Sequence, residues 1–248
     1  AANCAPPTTP ERCSVRVGSA RVGPGPDPTH GELMTHASST PASAAPSSLR
    51  TTSRAGDIAL IAVFAALIAA FAMLPPIPVG PLGVPITLQT FAIALTGLVL
   101  GPWRAAAATG LYVVLGLIGL PIFSGMRGGI AVLAGPSAGY ILAFTLYALA
   151  AGFAARWALR RFSGGRLWAA MFAGALAASL LIVHPLGILG MSINGDLPLG
   201  VAAAADLIYW PGDIIKTVLS VSVALLIHRA FPDILRRRGA RPQAPDAQ

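Results

Sequence analysis

Lysine is all but missing from this chain. Of its 17 lysine and arginine residues only Lys216 is a lysine. That alone excludes a hidden G-x-x-x-x-G-K-[ST] nucleotide loop, since no lysine stands at the end of such a run. Charge is scarce as well: 10% of 248 residues, against 55% hydrophobic and a mean hydropathy of +0.71. A soluble domain of this length carries about a quarter charged residues, so the composition describes an integral membrane protein. The two cysteines, Cys4 and Cys13, both lie near the start, which leaves the apolar part without a disulfide or a thiol metal site. No H-E-x-x-H occurs, and no G-x-S-x-G beside a suitable base, so membrane hydrolase chemistry finds no constellation and the chain is not expected to be an enzyme. Acids are too few for an ion-coupled relay. Uphill transport would therefore draw its energy from another chain.

What is present is a series of apolar runs separated by punctuation. A spanning helix needs about 20 apolar residues. Six spans are expected, at 57–74, 85–100, 103–120, 136–159, 167–191 and 211–230, bounded by Pro75-Pro76, Gly101-Pro102, Pro121, Pro136 and Pro211-Gly212. The fold class is thus an all-α integral membrane bundle. Arginines sort to one side: Arg50 and Arg54; Arg104; Arg156, Arg160, Arg161 and Arg166; then Arg229, Arg236, Arg237, Arg238 and Arg241. The other side has only Arg127 and Lys216. The positive-inside rule then puts both termini in the cytoplasm, as an even number of spans requires. This excess of cations on one face speaks for orientation on an anionic bilayer and against nucleic-acid binding. Residues 1–33, rich in Ala, Pro, Gly and Arg, are expected to be a non-native or disordered extension ahead of a natural start at Met34. Residues 34–56 read as a disordered cytoplasmic tail, 57–230 as the membrane domain and 231–248 as a basic cytoplasmic tail.

The outer side holds the chemistry. Asp213 and Lys216 are three apart and share a helix face. A structural salt bridge explains an aspartate near a helix N-terminus, but an ammonium there opposes the macrodipole, and charges at membrane depth are expensive. The alternative is a ligand site, in which a carboxylate and an ammonium meet the N–H and C=O groups of a neutral cyclic urea or amide. Thr87, Gln89 and Thr90 open the second span, either bonding neighbouring helices or facing a ligand. Tyr140, Tyr209 and Trp210 are belt residues or pocket walls. The proline-rich loop 75–85 is stiff and non-helical, suited to a lid. In the loop 122–135, Gly128 and Gly129 allow close backbone approach, and Arg127 is either solvated or the partner of a substrate carboxylate. The segment 194–210 is too short to span and reads as a re-entrant or interfacial helix flanked by Asp196 and Asp206. His184, before Pro185, is expected to bond a carbonyl freed by a kink, and His228 to lie at the interface. Ala62, Ala65, Ala66 and Ala69 form a small-residue pattern on the first span, through which another helix packs closely, within the chain or outside it.

Four ordered motifs carry a resemblance: Val84-Pro85-Ile86-Thr87-Leu88-Gln89-Thr90, Gly116-Leu117-Ile118-Gly119-Leu120-Pro121-Ile122-Phe123, the stretch from Gly128-Gly129 to Gly135-Pro136-Ser137-Ala138-Gly139-Tyr140, and Pro211-Gly212-Asp213-Ile214-Ile215-Lys216. Together they resemble BioY, the biotin-capturing S component of energy-coupling factor (ECF) transporters, over 57–230. The resemblance implies a six-helix substrate-binding subunit of a bacterial inner membrane, with biotin as transported substrate and no cofactor. It implies that Asp213 and Lys216 contact the bicyclic ring and that the loop 75–85 is the lid. It also implies that Ala62 and Ala66, or their neighbours one turn on, meet a transmembrane coupling subunit powered by a pair of ABC-type ATPases. The chain departs from the family pattern after the third span, where Ser124, Gly125, Met126 and Arg127 stand in place of an expected asparagine, and in 183–190, which lacks aromatics. Two other readings compete: an S component for a different vitamin, and a membrane-embedded enzyme acting on a lipid or isoprenoid, which would need clustered acids or histidines.

Overall fold

A computed structural model describes residues 51–79 and 84–231. Cys4, Cys13, Met34, Arg50, residues 1–33, residues 80–83 of the proline-rich loop and residues from 232 onward, with Arg236, Arg237, Arg238 and Arg241, lie outside the described residues. The described chain is helical: α1 (Thr51–Ala72), α2 (Gln89–Leu100), α3 (Pro102–Leu117), α4 (Ala138–Arg161), α5 (Gly164–Ala178), α6 (His184–Asn194), α7 (Leu199–Asp206) and α8 (Trp210–Ala230). Helix α1 starts inside the stretch read as a tail, at Thr51-Thr52-Ser53, residue types that favour helix starts.

Four helical runs are long and apolar enough to cross a membrane: Arg54–Ala72, Ala138–Arg161, Gly164–Asn194 and Leu199–Ala230. α2 and α3, with 12 and 16 residues, are shorter. The second span was expected from residue 85, but 84–88 is not helical. Ile77 and Ile86 exchange both backbone hydrogen bonds, at 3.0 and 2.9 Å, and that pairing keeps the segment before Leu88 out of the helix. The fifth span stays continuous through His184-Pro185. A π-helical turn at Ser179–Val183 joins α5 to α6, and its wider hydrogen-bond spacing accommodates a proline, which has no N–H to donate. The interfacial segment exists as α7, yet it runs through a short 3-10 turn at Leu207–Tyr209 directly into α8.

Helix α4 is the centre of the bundle and packs on α2, α3, α5 and α6, while α8 packs on α2 and α5. Its inner stripe is alanine: Ala143, Ala148, Ala151, Ala155 and Ala158 are fully buried. Small residues let neighbours approach where lipid supplies no hydrophobic drive between helices. At one crossing nothing larger than glycine fits, because a methyl group on Gly139 would run into the backbone of Leu186. The polarity is inverted relative to a soluble protein. Gln89, Thr96, Thr109, Ser179, His184, Asp206, Asp213, Lys216, Thr217 and Ser220 are buried, while Val114, Leu142, Phe153, Trp157, Leu181, Ile193, Ile215 and Leu226 are exposed. Helix α8 repeats this at residue scale. Its buried positions 213, 216, 217, 220, 221 and 224 fall on one stripe, and Ile214, Ile215 and Leu219 point away, the three-and-four spacing of a single helix face.

Candidate functional site

Pro211 in its first turn starts α8, and its buried stripe turns Asp213 and Lys216 inward beside the first turn of α2. There the two meet Thr90. Lys216 Nζ donates to Asp213 Oδ1 at 2.6 Å and to Thr90 Oγ1 at 3.0 Å, and Thr90 Oγ1 donates to the same Asp213 oxygen at 3.2 Å. An ammonium has three hydrogens, so one remains for a further partner. Thr217 and Ser220 bond back to the carbonyls of Asp213 and Lys216 at 2.7 and 2.8 Å, and Ser220 also reaches the Phe91 carbonyl at 3.1 Å, which fixes α8 against α2.

A second network backs the first. Asp206, 1% exposed, accepts from Tyr140 Oη at 2.6 Å, from Trp210 Nε1 at 3.0 Å, and pairs with His184 Nδ1 at 2.7 Å. The other ring nitrogen, His184 Nε2, lies 3.5 Å from Asp213 Oδ2 without a hydrogen bond. His184 thus stands between the two buried carboxylates and does not bond a freed backbone carbonyl, as its place before Pro185 had suggested. The π turn closes the backbone pattern, and Asp206 is carried inward because α7 continues into α8. His228 is also tied down, with Nε2 2.9 Å from the Leu98 carbonyl.

Beside the first network lies a cavity of about 70 Å³. Its lining includes Asp213, Lys216, Thr87, Gln89, Thr90, Tyr140, Tyr209 and Arg127, together with Val84, Pro85, Ile86, Phe123, Ser124, Phe144 and Val183. Gln89 donates its amide hydrogen to Tyr112 Oη at 2.8 Å. Tyr209 donates to the Val84 carbonyl at 2.7 Å and packs edge-on to Tyr140 with ring centres 6.0 Å apart, so both tyrosines are walls, one of them latching the end of the proline-rich segment. Arg127 arrives on a tight hairpin in which Phe123 and Arg127 pair their backbones. Ser124 Oγ, on that hairpin, is buried and has no hydrogen-bond partner, and it lines the cavity. Gly128 and Gly129 do not. Gly128 packs on the Leu120 carbonyl, and Gly129, at φ +87°, donates to the Gly116 carbonyl at 2.7 Å, so they shape the hairpin's base.

Gly187 makes room for Tyr140: a methyl group there would overlap the tyrosine ring. Gly187→Ala is expected to push Tyr140 off Asp206 and to cost about 1–3 kcal/mol by overpacking, read as a lower melting temperature in detergent. Unchanged melting would mean that the ring has room to retreat.

On the α1 surface, Ala62 and Ala66 are exposed, Ala69 is half-buried, and Ala65 is turned into the core.

The model of the BioY family matches residues 42–233. The chain is similar to the biotin transporter BioY of Rhodobacter capsulatus, 37% identical over 192 residues that cover 74% of this chain and 98% of that protein. It is also similar to the biotin transporter BioY of Rhizobium etli, 32% identical over 177 residues, covering 71% and 95%. Among solved structures it is similar to the S-component for biotin from an ECF-type ABC transporter, 30% identical with a TM-score of 0.67, covering 72% of this chain and 93% of that one.

Proposed function

We propose that this chain, which belongs to the BioY family, binds biotin between Asp213, Lys216 and the tyrosine wall and serves biotin uptake as the substrate-binding subunit of an ECF-type transporter. The observation that carries this reading is the set of unused valences at the site. Among the described residues Asp213 Oδ2 is met only by His184 Nε2, at 3.5 Å and without a hydrogen bond, and Lys216 keeps one hydrogen after serving Asp213 and Thr90. One acceptor beside one donor matches the N–H and C=O of a ureido ring. Tyr140, Tyr209, Phe144 and Val84 supply the apolar walls that a thioether bicycle needs.

The unpartnered Ser124 hydroxyl and the Arg127 guanidinium, both on the Phe123–Arg127 hairpin, are the groups placed to meet the carboxylate of the vitamin's aliphatic tail. Arg127→Ala is expected to weaken biotin by about 1.5–3 kcal/mol, the range for a hydrogen bond to a charged group, and Ser124→Ala by about 1 kcal/mol. Titration against biotin and against its carboxamide separates the roles, since the carboxamide should bind both variants and the unmodified chain nearly alike. An Arg127→Ala protein that binds biotin as the unmodified chain does would remove this assignment.

In this reading the multi-pass bundle crosses a bacterial inner membrane six times, α2 and α3 included, with both termini in the cytoplasm. The exposed Ala62 and Ala66 pair on α1 is the contact for a transmembrane coupling subunit, and Ala65 belongs to the chain's own core. ABC-type ATPases on separate chains supply the energy, and the chain itself catalyses nothing. Equilibrium binding of labelled biotin to the purified protein tests the core of the proposal. Tight one-to-one binding supports it, and displacement by another vitamin at lower concentration than by biotin would reassign the substrate. Co-purification from native membranes tests the partners.

A further inference from the structure

A second cavity, of about 350 Å³, opens at the far end of α2 from the biotin site, among Leu100, Pro102, Trp103 and Arg104 at the α2–α3 corner, the start of α1 and the last turns of α4. Three guanidinium groups line it: Arg54, Arg104 and Arg156. Only one acid does. Asp57 binds Arg104 at 2.9 Å, while Arg54 and Arg156 have no ion pair or hydrogen bond among the described residues. Arg156 is half-buried, and a cation drawn partly out of water without a counter-charge is costly. Among the described residues the cavity therefore carries two positive charges without a counter-charge, which calls for an anion.

Its remaining walls say which kind. Ile58, Ile61, Leu100 and Trp103 are apolar, and Ile58 and Trp103 are more than half exposed, so the charged floor continues into a surface that faces hydrocarbon. A free inorganic anion has no use for that trough. A molecule with a phosphate at one end and acyl chains at the other fills both parts, with the indole at the level where tryptophan settles in bilayers. We propose that this cavity is a binding site for the headgroup phosphate of an anionic phospholipid, held by Arg54 and Arg156 with the chains along Ile58, Ile61 and Trp103. Basic pockets between helices on the cytoplasmic side are suited to such headgroups. The proposal rests on the membrane setting of the bundle and not on the vitamin.

The test is native mass spectrometry of the full chain released from detergent, titrated with phosphatidylglycerol, with phosphatidylcholine of the same chains, and with inorganic phosphate. The unmodified protein is expected to hold one phosphatidylglycerol at least tenfold more tightly than phosphatidylcholine. Arg54→Gln/Arg156→Gln should lose at least tenfold of that affinity. Arg160→Gln/Arg166→Gln, which removes the same charge from exposed positions outside the cavity, should stay within twofold. Equal losses in the two double variants would reduce the effect to general surface charge and overturn the proposal. So would equal affinity for the zwitterionic lipid, or displacement of the lipid by inorganic phosphate at matched concentration, which would make this a soluble-anion site. Biotin binding of the same samples is a separate readout: its absence with the lipid result intact would sink the vitamin assignment alone.

Discussion

Lys216→Ala and Asp213→Asn should each weaken biotin binding about 10- to 150-fold, the equivalent of about 1.5–3 kcal/mol for a hydrogen bond to a charged group. The two substitutions act differently. Removing the ammonium takes away the free N–H and leaves a carboxylate that is 7% exposed, beside Thr90 and His184, without its cation. Asp213→Asn keeps the shape and exchanges an acceptor oxygen for an amide, so Lys216 loses its ion pair and the ligand loses its acceptor. Thr90→Val, which removes the hydroxyl that bridges the pair, should weaken binding less, since no direct ligand bond is lost. Fluorescence or radioligand titration on purified protein measures all three. If Lys216→Ala and Asp213→Asn both bind like the unmodified chain, biotin sits elsewhere.

The largest loss of stability is expected at Asp206. Asp206→Ala leaves the donors on His184, Tyr140 and Trp210 without their acceptor inside the bundle, and breaking a buried charged cluster by removing one member costs about 3–5 kcal/mol. That is a large share of the 5–15 kcal/mol that holds a typical domain folded. His184→Ala on the Asp206→Ala background should cost much less than on the intact chain, because the contact at 2.7 Å is already gone. Melting curves of the four proteins in detergent give the coupling. Strictly additive losses would show that the two residues act independently and that Asp206 is held by Tyr140 and Trp210 alone.

How far these features were legible in the chain differs from residue to residue. Lys216 stood out because nothing else in the sequence resembles it, and its spacing from Asp213 placed both on one helix face, where the bundle has them. The same spacing did not supply Thr90 as their bridge. That depends on the start of α2 lying against the start of α8, a relation between segments more than a hundred residues apart. Asp206 was read as the polar flank of an interfacial helix. Hydropathy along a segment reports polarity and not direction, and α7 continuing into α8 is what points that carboxylate inward. His184 beside Pro185 carried the signature of a kink. The π turn relieves the backbone without any side chain, so the imidazole is free to join the two aspartates. The start of α2 is hidden in the sequence for a related reason: Pro85 can begin a helix, and only the pairing of Ile77 with Ile86 shows that it does not.

Helix α1 is the least covered of the long helices. Only 17% of its apolar window is covered by the rest of the protein, against 61% for α4, so it leans on the bundle by one flank, chiefly against α3 and α2. In a bilayer most of its circumference would face acyl chains. Exchanging those chains for the side of another protein's helix leaves the interior packing around α4 untouched, and release merely returns the lipids. On the proposed reading, a subunit built this way can join and leave its coupling partner many times while the cavity beside Asp213 and Lys216 keeps its shape.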